Sequence, residues 1–92
     1  LQRDWVMADS TGYEPVLSAK ATSFLVSLSN RRQKMLIQLL RQLACQPGQL
    51  GDYSERDDTG RDVQFIFAGD LVIAFWADHP AREFRIVDVD EV

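Results

Sequence analysis

The chain is poor in the residues from which small proteins build metal and catalytic centres. Of its 92 residues one is cysteine, Cys45, and one is histidine, His79. A single thiol excludes an internal disulfide framework, and with one imidazole beside it a cysteine–histidine zinc site is short of ligands. Lysine occurs twice, at Lys20 and Lys34. Neither stands in the glycine-rich pattern of a phosphate loop, and a dinucleotide fingerprint and a nucleophile elbow are missing as well. The longest apolar run, Leu71–Ala77, has seven residues and is too short to cross a bilayer. No basic start followed by a long apolar stretch suggests a secretory signal. These absences lead us to expect no metal, no cofactor, no membrane and a cytoplasmic location.

What is present suits one small folded domain. The composition is 46% hydrophobic and 26% charged, which separates it from disordered and fibrous chains. Residues 1–13 are hard to assign. Met7-Ala8-Asp9 reads as a natural start, with residues 1–6 an upstream piece. Residues 14–92 read as a single domain. The net charge of −4 is unevenly spread, because residues 1–50 hold six basic and three acidic groups while the remainder hold four and eleven. No acid occurs between Pro15 and Gly51. Arg31, Arg32, Lys34 and Arg41 therefore make a local positive field on an acidic protein, a candidate docking face for an acidic segment of a partner.

The hydrophobic period changes once along the chain. Glu14–Leu17 carries Pro15, which allows only an edge strand or an extended lead-in. Ser18 is placed to cap a helix whose apolar positions are Ala21, Phe24, Leu25 and Leu28. Ser29-Asn30 opens a second helix, striped by Leu36, Leu39, Leu40 and Leu43 and ending near Ala44, before Pro47-Gly48. Cys45, at its end, reads as a small core residue rather than a nucleophile. The acidic stretch Gln49–Gly60 reads as a solvated loop without the offsets of a calcium site. Strands follow at Arg61–Ala68 and Leu71–Asp78, joined by Ala68-Gly69-Asp70, and at Arg82–Asp90, with a bulge near Ile86-Val87. The expected fold is α+β: a helical hairpin packed on a three- to four-stranded antiparallel sheet. Its predicted core is Leu36, Leu39, Leu40, Leu43, Phe65, Phe67, Ile73 and Phe75.

Few residues stand out as chemistry. Asp57/Asp58 and Asp88/Asp90/Glu91 read as solvated acids. His79 lies in a turn beside Asp78, and arginines 56, 61, 82 and 85 bracket the sheet. Arginine holds phosphate with a two-pronged grip, yet acids are abundant nearby and pairing with them is the simpler use. Arg61, His79, Arg82 and Arg85 are the weak catalytic candidates. Trp76, on the outer face of a central strand, is a candidate for partner or homodimer contact.

The run Leu17-Ser18-Ala19-Lys20-Ala21 with Phe24-Leu25 and Leu28, then Arg31–Leu43 and Leu43-Ala44-Cys45-Gln46-Pro47, resembles the opening of the RelE/ParE toxin superfamily. The three strands that follow fit that family's sheet. The resemblance covers roughly residues 14–92 and is one of pattern and order more than of invariant residues. It implies a toxin, or a toxin-derived protein, of a bacterial or archaeal type II toxin–antitoxin pair. Members are ribosome-dependent mRNA endonucleases on the RelE branch and gyrase inhibitors on the ParE branch, often linked to plasmid stabilisation. An antitoxin with an acidic segment is the implied partner.

The departures are specific. Nuclease members carry lysines or arginines on the first strand after the helices, which we align with Val63-Gln64-Phe65. They carry an arginine after the hairpin turn, where Leu71-Val72 stand, and a basic tail where Asp88–Val92 lie. The expected action is therefore protein binding rather than RNA cleavage, which leans away from an enzyme. The alternative from the residues alone is an unrelated small α+β interaction or structural domain.

Overall fold

A computed structural model of the chain describes residues 12–92, so the suggested start at Met7 lies outside the described residues. In chain order the elements are β1 (Glu14–Leu17), α1 (Ala19–Val26), α2 (Asn30–Ala44), β2 (Tyr53–Arg56), β3 (Asp62–Ala68), β4 (Leu71–Asp78) and β5 (Glu83–Glu91). One five-stranded sheet has the order β1-β5-β4-β3-β2. All neighbours are antiparallel except β1, which runs parallel to β5. The α+β class and the helical layer are as expected, but the sheet has five strands and one parallel edge.

Both helices begin on serine. The Ser18 hydroxyl accepts the Ala21 N–H at 3.0 Å, and the Ser29 hydroxyl accepts that of Arg32 at 3.3 Å, satisfying N–H groups that a helix start leaves unpaired. In α2, Leu36, Leu40 and Ala44 are buried at four-residue spacing, with Leu39 and Leu43 half-buried beside them. Together with Ala21 they cover a sheet face built from Leu71, Ile73, Phe75, Phe84, Ile86 and Val89. Phe75 and Phe84 stack with ring centres 4.6 Å apart at the middle of this core.

Two sequence readings need correction. Phe65 and Phe67 are absent from the core, and Phe67 is 50% exposed. Opposed residues of an antiparallel pair share a face, and Ile66 opposes Ile73 while Phe65 opposes Ala74 and Phe67 opposes Val72. Ile66 and Ala68 thus turn toward the helices, and Val63, Phe65 and Phe67 turn away. Alternation favours Val63, Phe65 and Phe67 over Asp62, Gln64, Ile66 and Ala68, but the register with β4 decides which side is covered. Second, the acidic segment read as a loop contains β2, an edge strand with all four residues exposed. Gly51 seats it: a Cβ there would lie 2.5 Å from the Phe65 carbonyl oxygen, and the Gly51 N–H donates to Gln64 Oε1 at 2.8 Å.

The bulge in β5 is present. Ala74 pairs with Asp88 and Phe75 with Ile86, leaving Val87 as the extra residue. Its carbonyl accepts the Ser18 hydroxyl at 2.8 Å, and the Ile86 carbonyl accepts the Ser18 N–H at 2.9 Å.

The two leucine- and phenylalanine-type positions separate in stability. Leu40→Ala, which opens a cavity in the core, is expected to cost about 2–5 kcal/mol. Phe67→Ala, on the open face, costs no more than about 1 kcal/mol. Urea unfolding with an unchanged m-value checks both.

Candidate functional site

The helices cover one face of the sheet and leave the other bare. On the bare face Tyr53 and Glu55 come from β2, Val63, Phe65 and Phe67 from β3, Val72, Ala74 and Trp76 from β4, and Glu83, Arg85, Asp88 and Asp90 from β5. Tyr53 stacks flat on Phe65, ring centres 4.7 Å apart and planes 2° from parallel, and Phe67 joins them at 6.0 Å. Tyr53 is 43% exposed. Beside this aromatic step lies a shallow depression of about 240 Å³, with Val63, Phe65, Ala74 and Val87 among its lining residues and Glu55, Arg56, Asp57 and Asp88 as its charged ones.

The four arginine and histidine candidates fall into two groups. The Arg61 guanidinium stands 3.9 Å over the Trp76 ring and that of Arg85 stands 5.9 Å from it, so these two converge on one indole. Trp76 is half-buried, and the groups against its ring are these guanidinium planes. Both arginines are ion-paired, Arg61 to Asp57 at 3.3 Å and Arg85 to Glu83 at 2.7 Å, with Asp78 4.0 Å away. His79 and Arg82 gather instead on Tyr13: the Tyr13 hydroxyl is 2.8 Å from His79 Nδ1, and Arg82 stands 5.1 Å from the Tyr13 ring. Arg56 pairs with Asp62 at 3.4 Å across the β2–β3 ladder.

Asp57 organises the β2–β3 loop. Its Oδ1 accepts the Thr59 N–H, the Thr59 hydroxyl and the Arg61 N–H at 2.9, 2.7 and 3.0 Å. These bonds, that from the Thr59 hydroxyl foremost, with the Arg61 charge a smaller cause, hold the carboxyl below the usual aspartate range.

On the helical layer Arg31, Lys34 and Arg41 are exposed, and among the described residues they form no ion pair. Arg32 differs, since it reaches Asp70 at 3.3 Å and Glu91 at 3.6 Å and ties α2 to the end of the sheet. Beside it an apolar groove of about 370 Å³ runs between α2 and the β3–β4 turn, lined by Leu28, Met35, Leu36, Leu39 and Leu71. Met35 is 59% exposed there. The alternating and helical periods of the sequence point to this groove only indirectly, because its residues lie on the rim of the core stripe. Cys45 is exposed at the end of α2 and is not the core residue expected. Among the described residues, no cluster of histidine, cysteine, aspartate or glutamate could hold a metal ion, and no helix is long and apolar enough to cross a membrane.

A helical hairpin on one face of this sheet defines the RelE-like α+β fold. The chain matches a chain of the crystal structure of the toxin–antitoxin complex RelBE2 from Mycobacterium tuberculosis with a TM-score of 0.73 over 89% of this chain and 93% of that one, at 17% identity. At that identity the likeness is one of fold. No protein-family model matches the sequence, and no curated protein matches it.

The depressed Asp57 carboxyl has a defined sign in acid. A group whose folded pKa is lowered contributes stability above its unfolded pKa and loses it as pH falls through the folded value. A carbon-detected carboxyl titration should place Asp57 below an ordinary aspartate. Thr59→Val should raise it more than Arg61→Ala, which leaves the Arg61 backbone N–H in place.

Proposed function

We propose that the protein is a toxin-like member of a type II toxin–antitoxin pair that works by binding another protein and does not cleave mRNA. The fold likeness to a chain of the RelBE2 complex supports the pairing with an antitoxin-like partner. The composition of the bare sheet face carries the rest. The strand following the helices is β2 and not Val63–Phe65, and toward that face it offers Tyr53 and Glu55. Where the resemblance implies cations, β2 turns an aromatic ring and an acid toward this face, and its one arginine, Arg56, is paired with Asp62 at 3.4 Å.

Cleavage within RNA needs a base, an acid and compensation of the phosphate charge, each worth orders of magnitude in rate. The bare face has neither lysine nor histidine among the residues it presents, and the arginines at it, Arg56, Arg61 and Arg85, are already paired with acids. Arginine stays protonated and is no base. His79 stands on Tyr13, in the β4–β5 turn. At the far end Asp88 and Asp90 face outward and repel a phosphate backbone.

The partner surface we favour is the helical layer. Arg31, Lys34 and Arg41 present charge that no acid among the described residues pairs, and the groove around Met35 and Leu39 offers apolar area to an amphipathic segment carrying acids. The ParE-like branch, with gyrase as target, fits a protein-binding mode better than the ribosome does. A symmetric homodimer is the competing use of Trp76. An unrelated interaction domain is the second reading, and the missing family-model match favours it.

Induced expression is expected to arrest growth, with relief from a short acidic protein encoded beside the gene. Primer extension on translated mRNA should then show no new cuts. Cuts that vanish in Arg61→Ala or His79→Ala would overturn the non-nuclease reading. Binding of the partner should weaken as salt rises and in an Arg31/Lys34/Arg41→Glu variant, by roughly tenfold or more. Arg32 is left intact there because it holds the sheet end.

A further inference from the structure

We propose that the bare sheet face is a second docking surface and that it takes a basic segment of a partner protein, one in which lysine or arginine stands beside large apolar residues. The proposal goes beyond the toxin reading, which places an acidic segment on the helices, and does not depend on it. Tyr53, Phe65, Phe67, Val72 and Val87 lie exposed or half-buried on the sheet face turned away from the helices, with buried Ala74 among them. Phe67, near the β3–β4 turn, is 50% exposed. Apolar area of this kind on a surface marks a site of contact.

Charge selects the occupant. The apolar strip is flanked by Glu55 on the β2 side and by Asp88 and Asp90 on the β5 side. Among the described residues Glu55 and Asp90 have no cationic partner, and Asp88 has only Lys20 at 3.2 Å, whose side chain is 74% exposed. Of the cations at this face, Arg61 and Arg85 sit together at one end on Trp76 and are paired with acids, and Arg56, beside the depression, is paired with Asp62 at 3.4 Å. What the face offers an incoming chain is therefore apolar area with negative margins.

The depression next to Phe65 matches one side-chain chemistry. Lysine and arginine lay an aliphatic stem along apolar surface and carry the charge to its edge. Val63, Phe65, Ala74 and Val87 supply that surface, and Glu55, Asp57 and Asp88 stand at the edge with one cation, Arg56, which is itself paired with Asp62. An acidic segment would bring carboxylates against carboxylates. Single-stranded RNA could stack a base on Tyr53 and Phe65, but its phosphates would meet the same acids.

The test is a titration of the isotope-labelled protein with an octapeptide alternating lysine and leucine, followed by amide chemical shifts. The same peptide with glutamate for lysine, and an oligouridylate, serve as comparisons. The expected result is that the lysine peptide shifts the amides of β3 and β4 around Phe65, Phe67 and Ala74, and that the two comparisons leave them unmoved. A Glu55→Gln/Asp90→Asn variant, with the shifts of its core residues unchanged, should bind the lysine peptide about five- to tenfold more weakly. Binding of the glutamate peptide or the oligouridylate to these residues as tightly as the lysine peptide would overturn the proposal. So would lysine-peptide shifts confined to the helices, no binding, or an affinity indifferent to the two substitutions.

Discussion

The arrangement hangs on one extra residue in β5. Because Val87 has no partner on β4, the facing of β5 shifts by one position at that point. Phe84 and Ile86 before it, and Val89 after it, all turn to the core, while Arg85, Asp88 and Asp90 turn away. A regular strand would have sent Asp88 inward and Val89 out. The bulge also frees the Val87 carbonyl for the Ser18 hydroxyl, while the Ser18 N–H uses the neighbouring Ile86 carbonyl. One serine thus ends β1, caps α1 and fixes where the helical layer departs from the sheet. The core, the helix direction and the composition of the bare face follow from that junction.

The helical half was legible because a 3.6-residue stripe has one solution. Leu36, Leu40 and the caps Ser18 and Ser29 stand where the pattern puts them. The bulge was legible too, since Ile86-Val87 breaks the alternation of β5. The facing of β3 was not. Val63, Phe65 and Phe67 are individually the more hydrophobic set, yet Ile66 and Ala68 are the ones turned to the helices. Only the register with β4 settles it, and register depends on partners distant in sequence. The strand β2 escaped for another reason. All four of its residues are exposed, so burial imposed no alternation on Tyr53-Ser54-Glu55-Arg56, and the acidic residues around it read as loop.

The arginines show how far residue type alone leads. Four arginines around a sheet fit a phosphate site as readily as a set of ion pairs. Geometry separates the two readings: Arg56, Arg61 and Arg85 each meet a carboxylate, on Asp62, Asp57 and Glu83. Exposed pairs of this kind contribute little to stability, a median of about 0–1 kcal/mol. Their effect here is on the field. They cancel the positive charge on the bare face and leave the acids of β2 and β5 to set its sign.

The uneven charge of the chain becomes a division between layers. The acid-free stretch from Pro15 to Gly51 includes both helices, and eleven of the fourteen acids follow it, in and around the sheet strands. The helical layer is therefore basic and the bare sheet face acidic, on opposite sides of one thin core. The seams are bridged by a few exposed pairs, Lys20 to Asp88 and Arg32 to Asp70 and Glu91. A partner that met both faces would have to change the sign of its charge along its length, acidic against α2 and basic against β3 and β4. A partner of uniform sign would be accepted by one layer and repelled by the other. Charge would thus set which way round such a partner lay, while the apolar groove at Met35 and the Phe65–Phe67 surface would supply area that is indifferent to sign.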